Sequence, residues 1–260
     1  MKKIFVIADI HGCYDEMIKA LEKACFDKNN DEHLLVTAGD MFDRGTKSVA
    51  IFEYLYPLCE SGRAVCVRGN HDDMLIDYLE GTSITPFNYL RNGEDETFAD
   101  FLGRTAPFES WCTIENDINE PTIGDFARWL KEAVKEINEN YPNLLPWLKS
   151  MPYYYETKNY IITHASIDTE AEDWHNPKIP WDELVWDNGS FFGKEILNTG
   201  KNVIIGHFSV KHLREMYNID LNNTDQFAPL LSGNCRVLAL DACTILSHKV
   251  NVCVVEDGLL

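Results

Sequence analysis

Five short stretches of the 260-residue chain carry side chains that ligate cations and grip phosphate. They are Asp9-Ile10-His11-Gly12, Gly39-Asp40-Met41-Phe42-Asp43-Arg44-Gly45, Arg68-Gly69-Asn70-His71-Asp72, Thr163-His164-Ala165 and Gly206-His207. Asp-x-His sets two ligands on alternate residues of an extended segment. Both reach one cation if the chain turns at Gly12, although a plain turn uses the same residues. Gly-Asp-x-x-Asp-Arg-Gly is more specific. Gly39 and Gly45 allow a tight loop, the Asp40 carboxylate can bridge two cations, and Asp43 can orient an imidazole. Arg44 offers a planar fork that fits two phosphate oxygens; a solvated Asp–Arg pair is the plainer alternative. Gly-Asn-His-Asp adds Asn70, an uncommon cation ligand, directly before His71. Singly, each of His11, His71, His164 and His207 reads as a structural residue. In this order, the stretches point to two cations and a phosphate. His33, His175, His212 and His248 fall in no motif.

Regular elements must hold these residues in place. Residues 4–8 form a continuous apolar run, as in a strand buried on both faces. Met17, Ile18, Leu21 and Ala24 stand at helical spacing within 13–27. Strands are expected at His33–Ala38 and Ala64–Val67, and helices at Val49–Leu58 and Met74–Leu79. This βαβαβα order implies a largely parallel sheet, with ligands beyond the C-terminal ends of its strands. Asp9, Asp40 and Asn70 each follow such an end. Residues 81–150 break the rhythm and read as a mostly helical insertion or cap. It contains an amphipathic helix near 123–139 that Pro142 and Pro146 should end, and its Trp111, Trp129 and Trp147 are expected in the core. The second half offers strands at Tyr153–Tyr155, Tyr160–Thr163, Val203–Ile205, Val237–Leu240 and Val250–Val255, adjacent enough to suggest antiparallel pairing in a second sheet. With no repeats and no Ser/Gly linkers, residues 1–260 read as a single α/β domain.

The bulk composition narrows the partners. The net charge of -19 lacks the basic footprint of a nucleic-acid-coating protein. An anionic substrate would need local cations to reverse the field at its site. The eight cysteines show no Cys-x-x-Cys pair and read as reduced thiols. Cys13 is set apart because it opens a helix, where thiol acidity can rise; an inert thiol is the expected case. Met1-Lys2-Lys3 imitates a leader start, but Asp9 ends the apolar run too early. No run approaches the ~20 residues of a membrane helix. The expectation is a cytoplasmic protein.

The chain resembles the calcineurin-like metallophosphoesterase superfamily, in particular its phosphoprotein phosphatase branch of small bacterial and phage serine/threonine phosphatases and symmetrical diadenosine tetraphosphatases. Residues 4–12, 35–45 and 65–73 carry the resemblance best. Tyr89-Leu90-Arg91-Asn92-Gly93 to Thr97, Asn159 to Ala165, Gly206-His207 and Leu240-Asp241 extend it in order. The resemblance implies an α/β/β/α sandwich of two mixed sheets with a helical insertion at about 81–150. It further implies one cation on Asp9, His11 and Asp40 and a second on Asp40, Asn70, His164 and His207. Water activated by the two ions would attack phosphorus in line. His71 would protonate the leaving oxygen, positioned by Asp43, and Arg44 and Arg68 would hold the phosphate. Mixed oxygen and nitrogen ligation suits two Mn, Fe or Zn ions, with Mn preferred. Many relatives carry a further phosphate-clamping Arg where this chain has Asn188, after Leu184-Val185-Trp186-Asp187. Phe208-Ser209 and Ala242-Cys243 also depart from the pattern.

The favoured expectation is a serine/threonine protein phosphatase acting on phosphorylated protein. The alternative is hydrolysis of diadenosine tetraphosphate or another small phosphoester or phosphoanhydride. An inactive metal-bound scaffold would have no use for His71, Asp43 and Arg44. A dinucleotide-binding protein is disfavoured because no Gly-x-Gly-x-x-Gly follows the first strand. Oligomeric state is left open.

Overall fold

A computed structural model describes residues 2–82, 86–105, 123–194, 199–232 and 236–256. Strands β1 (Lys3–Ile7), β2 (His33–Ala38) and β3 (Ala64–Val67) alternate with helices α1 (Tyr14–Lys23), α2 (Ser48–Glu60) and α3 (Asn70–Glu80). Four helices follow: α4 (Pro86–Asn92), α5 (Glu94–Leu102), α6 (Ile123–Asn140) and α7 (Leu144–Ser150). The chain then gives β4 (Tyr154–Glu156), β5 (Tyr160–Thr163), α8 (Trp181–Leu184), β6 (Asn202–Ile205), α9 (Val210–Tyr217), β7 (Leu230–Leu231), β8 (Val237–Ala239), α10 (Thr244–Ser247) and β9 (Val252–Glu256).

The strands form two mixed sheets, ordered β3-β2-β1-β9 and β4-β5-β6-β8-β7. Successive side chains of a strand point to opposite faces, and the packing follows this alternation. Ile4, Val6, Leu34 and Val36 of the first sheet meet Tyr160, Ile162 and Ile204 of the second in an inter-sheet core. Phe5, Ile7 and Leu35 face the other way, into a core shared with the helices of the first half. Ile161, Val203, Ile205 and Val237 face a third core that includes Val210 and Leu213 of α9. The layers are therefore α/β/β/α, as the resemblance implies.

Two pairing expectations are corrected. In the second sheet β5, β6 and β8 are parallel, and antiparallel pairing is confined to its edges, β4 on β5 and β7 on β8. The long β5–β6 connection and the α9-bearing β6–β8 connection supply the crossovers that parallel strands need. The strand at 250–255 leaves that sheet and pairs antiparallel with β1, which closes the edge of the first sheet.

Boundaries shift for local reasons. Helix α1 ends at Lys23, short of 27, and Cys25 turns the chain with φ 61°. Helix α3 starts four residues before Met74, because the Asp72 side chain reaches back to accept the N–H of the N-cap residue Gly69. Pro142 ends α6, but Pro146 lies in the first turn of α7, where proline is tolerated. Trp129 and Trp147 pack into the helical core as expected, whereas Trp111 lies outside the described residues. Among the described residues no helix is long and apolar enough to cross a membrane.

Candidate metal centre

Six parallel-strand ends converge on one place. Asp9, Asp40 and Asn70 follow β1, β2 and β3, while His164, His207 and Asp241 follow β5, β6 and β8. The backbone is bent to aim them. Asp9, His11, Asp40, Asp43, Arg44 and His207 all hold positive φ, between 47° and 69°. Such a conformation costs free energy in an L-residue and persists only where the surroundings enforce it; it clusters at functional sites. Glycines leave the room. A Cβ at Gly69 would fall 2.3 Å from Asp40 Oδ1, and one at Gly206 would fall 2.1 Å from Asp9 Oδ2.

Asp40 is the hinge of the site, because its two oxygens face two different groups. Oδ1 lies 3.3 Å from His164 Nε2. That nitrogen is also 2.9 Å from Asn70 Oδ1 and 3.1 Å from His207 Nδ1. The other His164 nitrogen, Nδ1, donates to the Ala38 carbonyl at 2.7 Å. Lone pairs of four side chains therefore meet at one spot, and only a positive charge there, a proton or a metal ion, satisfies them together. Oδ2 of Asp40 lies 3.6 Å from His11 Nε2 and 4.0 Å from His71 Nε2. His11 Nδ1 donates to the Phe42 carbonyl at 3.0 Å, which leaves Nε2 as its free ligand atom. His11–Asp40–His71 and Asp40–His164–His207 thus each converge tightly enough to hold one ion. The donors are all oxygen and nitrogen, the set expected for Mn, Fe or Zn.

The electrostatics agree with a site built for cations. Burial would raise the Asp40 carboxyl, but the imidazoles of His164, His71 and His11 hold it well below its usual range. Burial would lower His164, yet Asp40 and Asp9 lift it to about 10. His207 is pushed down to about 3 by burial and by His164. Burial and Arg44 press His11 well below its normal value. His11 and His207 are thereby kept neutral and Asp40 ionised, the forms that ligate a cation, and among these four only His164 has a proton to give up on ligation.

His71 has a different back side. Its Nδ1 donates to Asp43 Oδ2 at 2.8 Å, and Asp43 Oδ1 accepts the Thr97 hydroxyl at 2.7 Å. The Asp43 N–H is fixed by Thr97 Oγ1 at 2.8 Å. Arg44 spreads its fork across the first group, donating to His11 Nε2 at 3.0 Å and to His71 Nε2 at 2.8 Å.

Two expected site residues meet other partners in this structure. Asp9 belongs to neither three-ligand group. Both of its oxygens accept the His207 N–H at 3.0 Å, so in this structure the carboxylate fixes the loop that carries a candidate ligand. Burial, then Asp241, pushes its acidity well down. Arg68 lines the cleft beside Asn70 and is engaged there by other groups. Its fork donates to the Leu148 and Lys149 carbonyls at 3.3 and 2.6 Å and to Asp73 at 3.3 Å. It caps the last turn of α7, where carbonyls lack helical partners. Cys13 is the inert thiol expected, pushed up to about 11 by burial and Glu16.

Three buried acids support the site. Asp72 accepts the N–H groups of Gly69 at 2.8 Å, Asp40 at 3.0 Å and Met41 at 3.4 Å. Burial and Asp40 lift it to about 7. Asp241 accepts the Cys243 N–H at 2.6 Å and is raised to about 6 by burial. Glu94 is fully buried with no hydrogen-bond partner for either carboxyl oxygen among the described residues. Burial, with Asp43 nearby, raises it to about 10. Sequence reading marks Asp241 only as a landmark and gives Glu94 no role, because one acid among several in Gly93-Glu94-Asp95-Glu96 carries no signal of burial.

Comparison with known proteins places these features in a family. Residues 2–221 match the calcineurin-like phosphoesterase family. The chain is 28% identical over 225 residues to the asymmetrical bis(5'-nucleosyl)-tetraphosphatase PrpE of Bacillus velezensis, covering 74% of this chain and 86% of that protein. It is 24% identical to serine/threonine-protein phosphatase 1 of Salmonella typhimurium, with 86% of each chain covered. Among solved structures, one described provisionally as a diadenosine tetraphosphatase shares the fold, with a TM-score of 0.59, 15% identity and coverage of 99% of this chain and 91% of that one. With its ligand-bearing strand ends in two facing mixed sheets, the chain belongs to the calcineurin-like phosphoesterase family of hydrolases.

Proposed function

We propose that the protein hydrolyses a phosphoanhydride of the dinucleoside polyphosphate type in a reaction that depends on two divalent ions. The observation that carries the two-ion reading is Asp40, whose oxygens serve two separate three-ligand groups. Asp9, His11 and Asp40 would hold one ion, and Asp40, Asn70, His164 and His207 the other, with Mn the preferred metal. Two such ions, when bound, lower the pKa of water and neutralise phosphate charge. The chain's own groups do the rest. Arg44 sits at the junction and offers its fork to phosphate oxygens. His71 presents Nε2 to the leaving oxygen, and Asp43 behind it stabilises the protonated ring. His71 cannot be both ligand and acid in one step, and its contact with Asp43 favours the acid role.

Substrate size supports the nucleotide reading. Beside Asn70 lies a cleft of about 440 Å³ walled by α3 and α8, within the range of small-molecule sites. The second reading, a serine/threonine protein phosphatase, draws on the exposed acids Asp77 and Asp182 at that cleft, which could pair with basic residues flanking a phosphoserine. The test is to supply Mn²⁺ and compare products from diadenosine tetraphosphate and from a phosphoserine peptide, each across a range of concentrations. A higher kcat/KM on the nucleotide supports the proposal; a higher value on the peptide replaces it with the second reading.

A further inference from the structure

Trp186 is half exposed, at 50%, although a large aromatic surface open to water is costly unless something covers it. It lines the cleft beside Asn70. Its ring centre is 6.4 Å from that of His207, edge to face at 81°. An open indole therefore stands next to a candidate metal ligand.

The platform is held firmly. The Trp186 N–H donates to the Glu183 carbonyl at 3.1 Å. On its other side Asp187 accepts the Phe191 N–H at 3.0 Å and the Ser190 hydroxyl at 2.7 Å. Asp182 lies in the single turn of α8, and Trp186 follows two residues after its last residue, Leu184. Both line the cleft. One wall thus offers a flat π-face and, beside it, a hydrogen-bond acceptor. The opposite wall is one face of α3, on which Asn70, Asp73 and Asp77 recur at helical spacing. That face continues to Glu80, ~15 Å from Asn70 at 1.5 Å per residue. The cleft therefore runs from the ion-binding end into a groove lined by aromatic surface, carboxylates and the paired cations Arg68 and Lys149.

We infer that Trp186 is the stacking platform for a nucleobase of the substrate, with Asp182 accepting from the N–H groups on the base edge. The inference rests on the nucleotide reading above and adds where the base lies. Stacking on an aromatic side chain tolerates any base, because every base has a π-face. Arg68 and Lys149 also line the cleft, but they are paired with Asp73 and Glu80, and with Asp77 and Asp182 the walls stay net acidic; this disfavours bare phosphate there and suits N–H donors, which places the phosphate at the cation end and the base in the cleft. This arrangement would also supply binding that the absent Arg at Asn188 does not.

The test titrates AMP and, separately, ribose 5-phosphate into the full-length protein by calorimetry, for wild type, Trp186→Ala and Trp186→Phe. The expected result is that Trp186→Ala weakens AMP roughly 5- to 100-fold, the usual worth of one stacked base. The loss for ribose 5-phosphate should be at least several-fold smaller, and Trp186→Phe should recover most of the AMP affinity. Equal losses for both ligands, no loss, or no AMP binding by the wild type overturns the inference. So does a loss confined to a phosphoserine peptide, which would make the cleft a peptide groove. Kinetics separate this inference from the reading it rests on. If diadenosine tetraphosphate is not hydrolysed, the proposed reaction fails while the AMP titration still decides the base site. If it is hydrolysed and Trp186→Ala leaves its KM unaltered, the reaction stands and the base site fails.

Discussion

Replacing Asp43 with Asn should disable proton delivery without emptying the metal centre. Thr97 decides why. Its Oγ1 already accepts the Asp43 N–H at 2.8 Å, so its own proton is directed to Asp43 Oδ1 at 2.7 Å. In Asp43→Asn the amide oxygen must therefore face Thr97, and the NH₂ must face His71 Nδ1, which now has to accept. His71 is then held as the wrong neutral tautomer, and its protonated form loses a carboxylate 2.8 Å away. A positioned general acid contributes about 10²–10⁴-fold, or about 3–5 kcal/mol at 1.36 per decade. The full loss should appear on an alkyl phosphate or a phosphoanhydride, whose leaving oxygen needs a proton. An aryl phosphate with an acidic leaving group should lose far less. The assay is kcat/KM on both substrate types, together with metal content. Adding Thr97→Ala should free the amide to turn over and restore part of the rate. Equal losses on both substrates would refute the proton-delivery argument. Loss of bound metal in Asp43→Asn would instead make His71 a ligand.

Three further outcomes test other parts of the account. Arg68→Ala should lower stability by ~1 kcal/mol, through the lost cap on α7, while Arg44→Ala should lower kcat/KM far more; denaturation and kinetics on each variant will tell, and the reverse pattern would restore Arg68 as the phosphate-binding residue. Gly206→Ala places a methyl group against the Asp9 carboxylate, and overpacking of this kind costs ~1–3 kcal/mol, readable as a lowered thermal midpoint; an unchanged midpoint would show that the Asp9–His207 contact is loose. Glu94→Gln tests the buried acid through pH. The folded-state pKa of Glu94 is raised from 4.5 to about 10, so the folded state retains a proton that the unfolded state releases. Wild-type stability therefore falls relative to Glu94→Gln as pH rises from about 5 to 8, by at most ~1.4 kcal/mol per pH unit. Stability curves that stay parallel across that window would mean Glu94 is ionised in the fold.

The candidate ligand cluster was legible because each motif pairs a strand end with side chains that have few other reasons to recur together. Asp40, His11, Asn70, His164 and His207 meet as the five stretches suggest. The first sheet was legible through the continuous apolar run of β1 and the βαβαβα order, and the sandwich through the resemblance. Pairing direction was not. The segment between β5 and β6 has little helical periodicity, so nothing in it announces a crossover, and β9 finds β1 only through a contact more than two hundred residues distant. The contacts of Arg68 were not legible, because a fork that fits phosphate also fits the open carbonyls of a helix end. The hold of Asp9 on the His207 N–H was hidden for a related reason, since a carboxylate near a cation site can also accept from backbone N–H groups. Glu94 and Asp72 were hidden because burial of an acid depends on what packs over it, and the covering residues come from distant segments.

The central claim is that Asp40 joins two ions in one centre. The measurement that addresses it most directly is metal content after loading with Mn²⁺ and removal of excess, for wild type and Asp40→Asn, with activity measured on the same samples. The account predicts two ions per chain in the wild type, at most one in Asp40→Asn, and loss of hydrolysis in the variant. An active Asp40→Asn protein that still holds two ions, or a fully active wild type holding one, would contradict it.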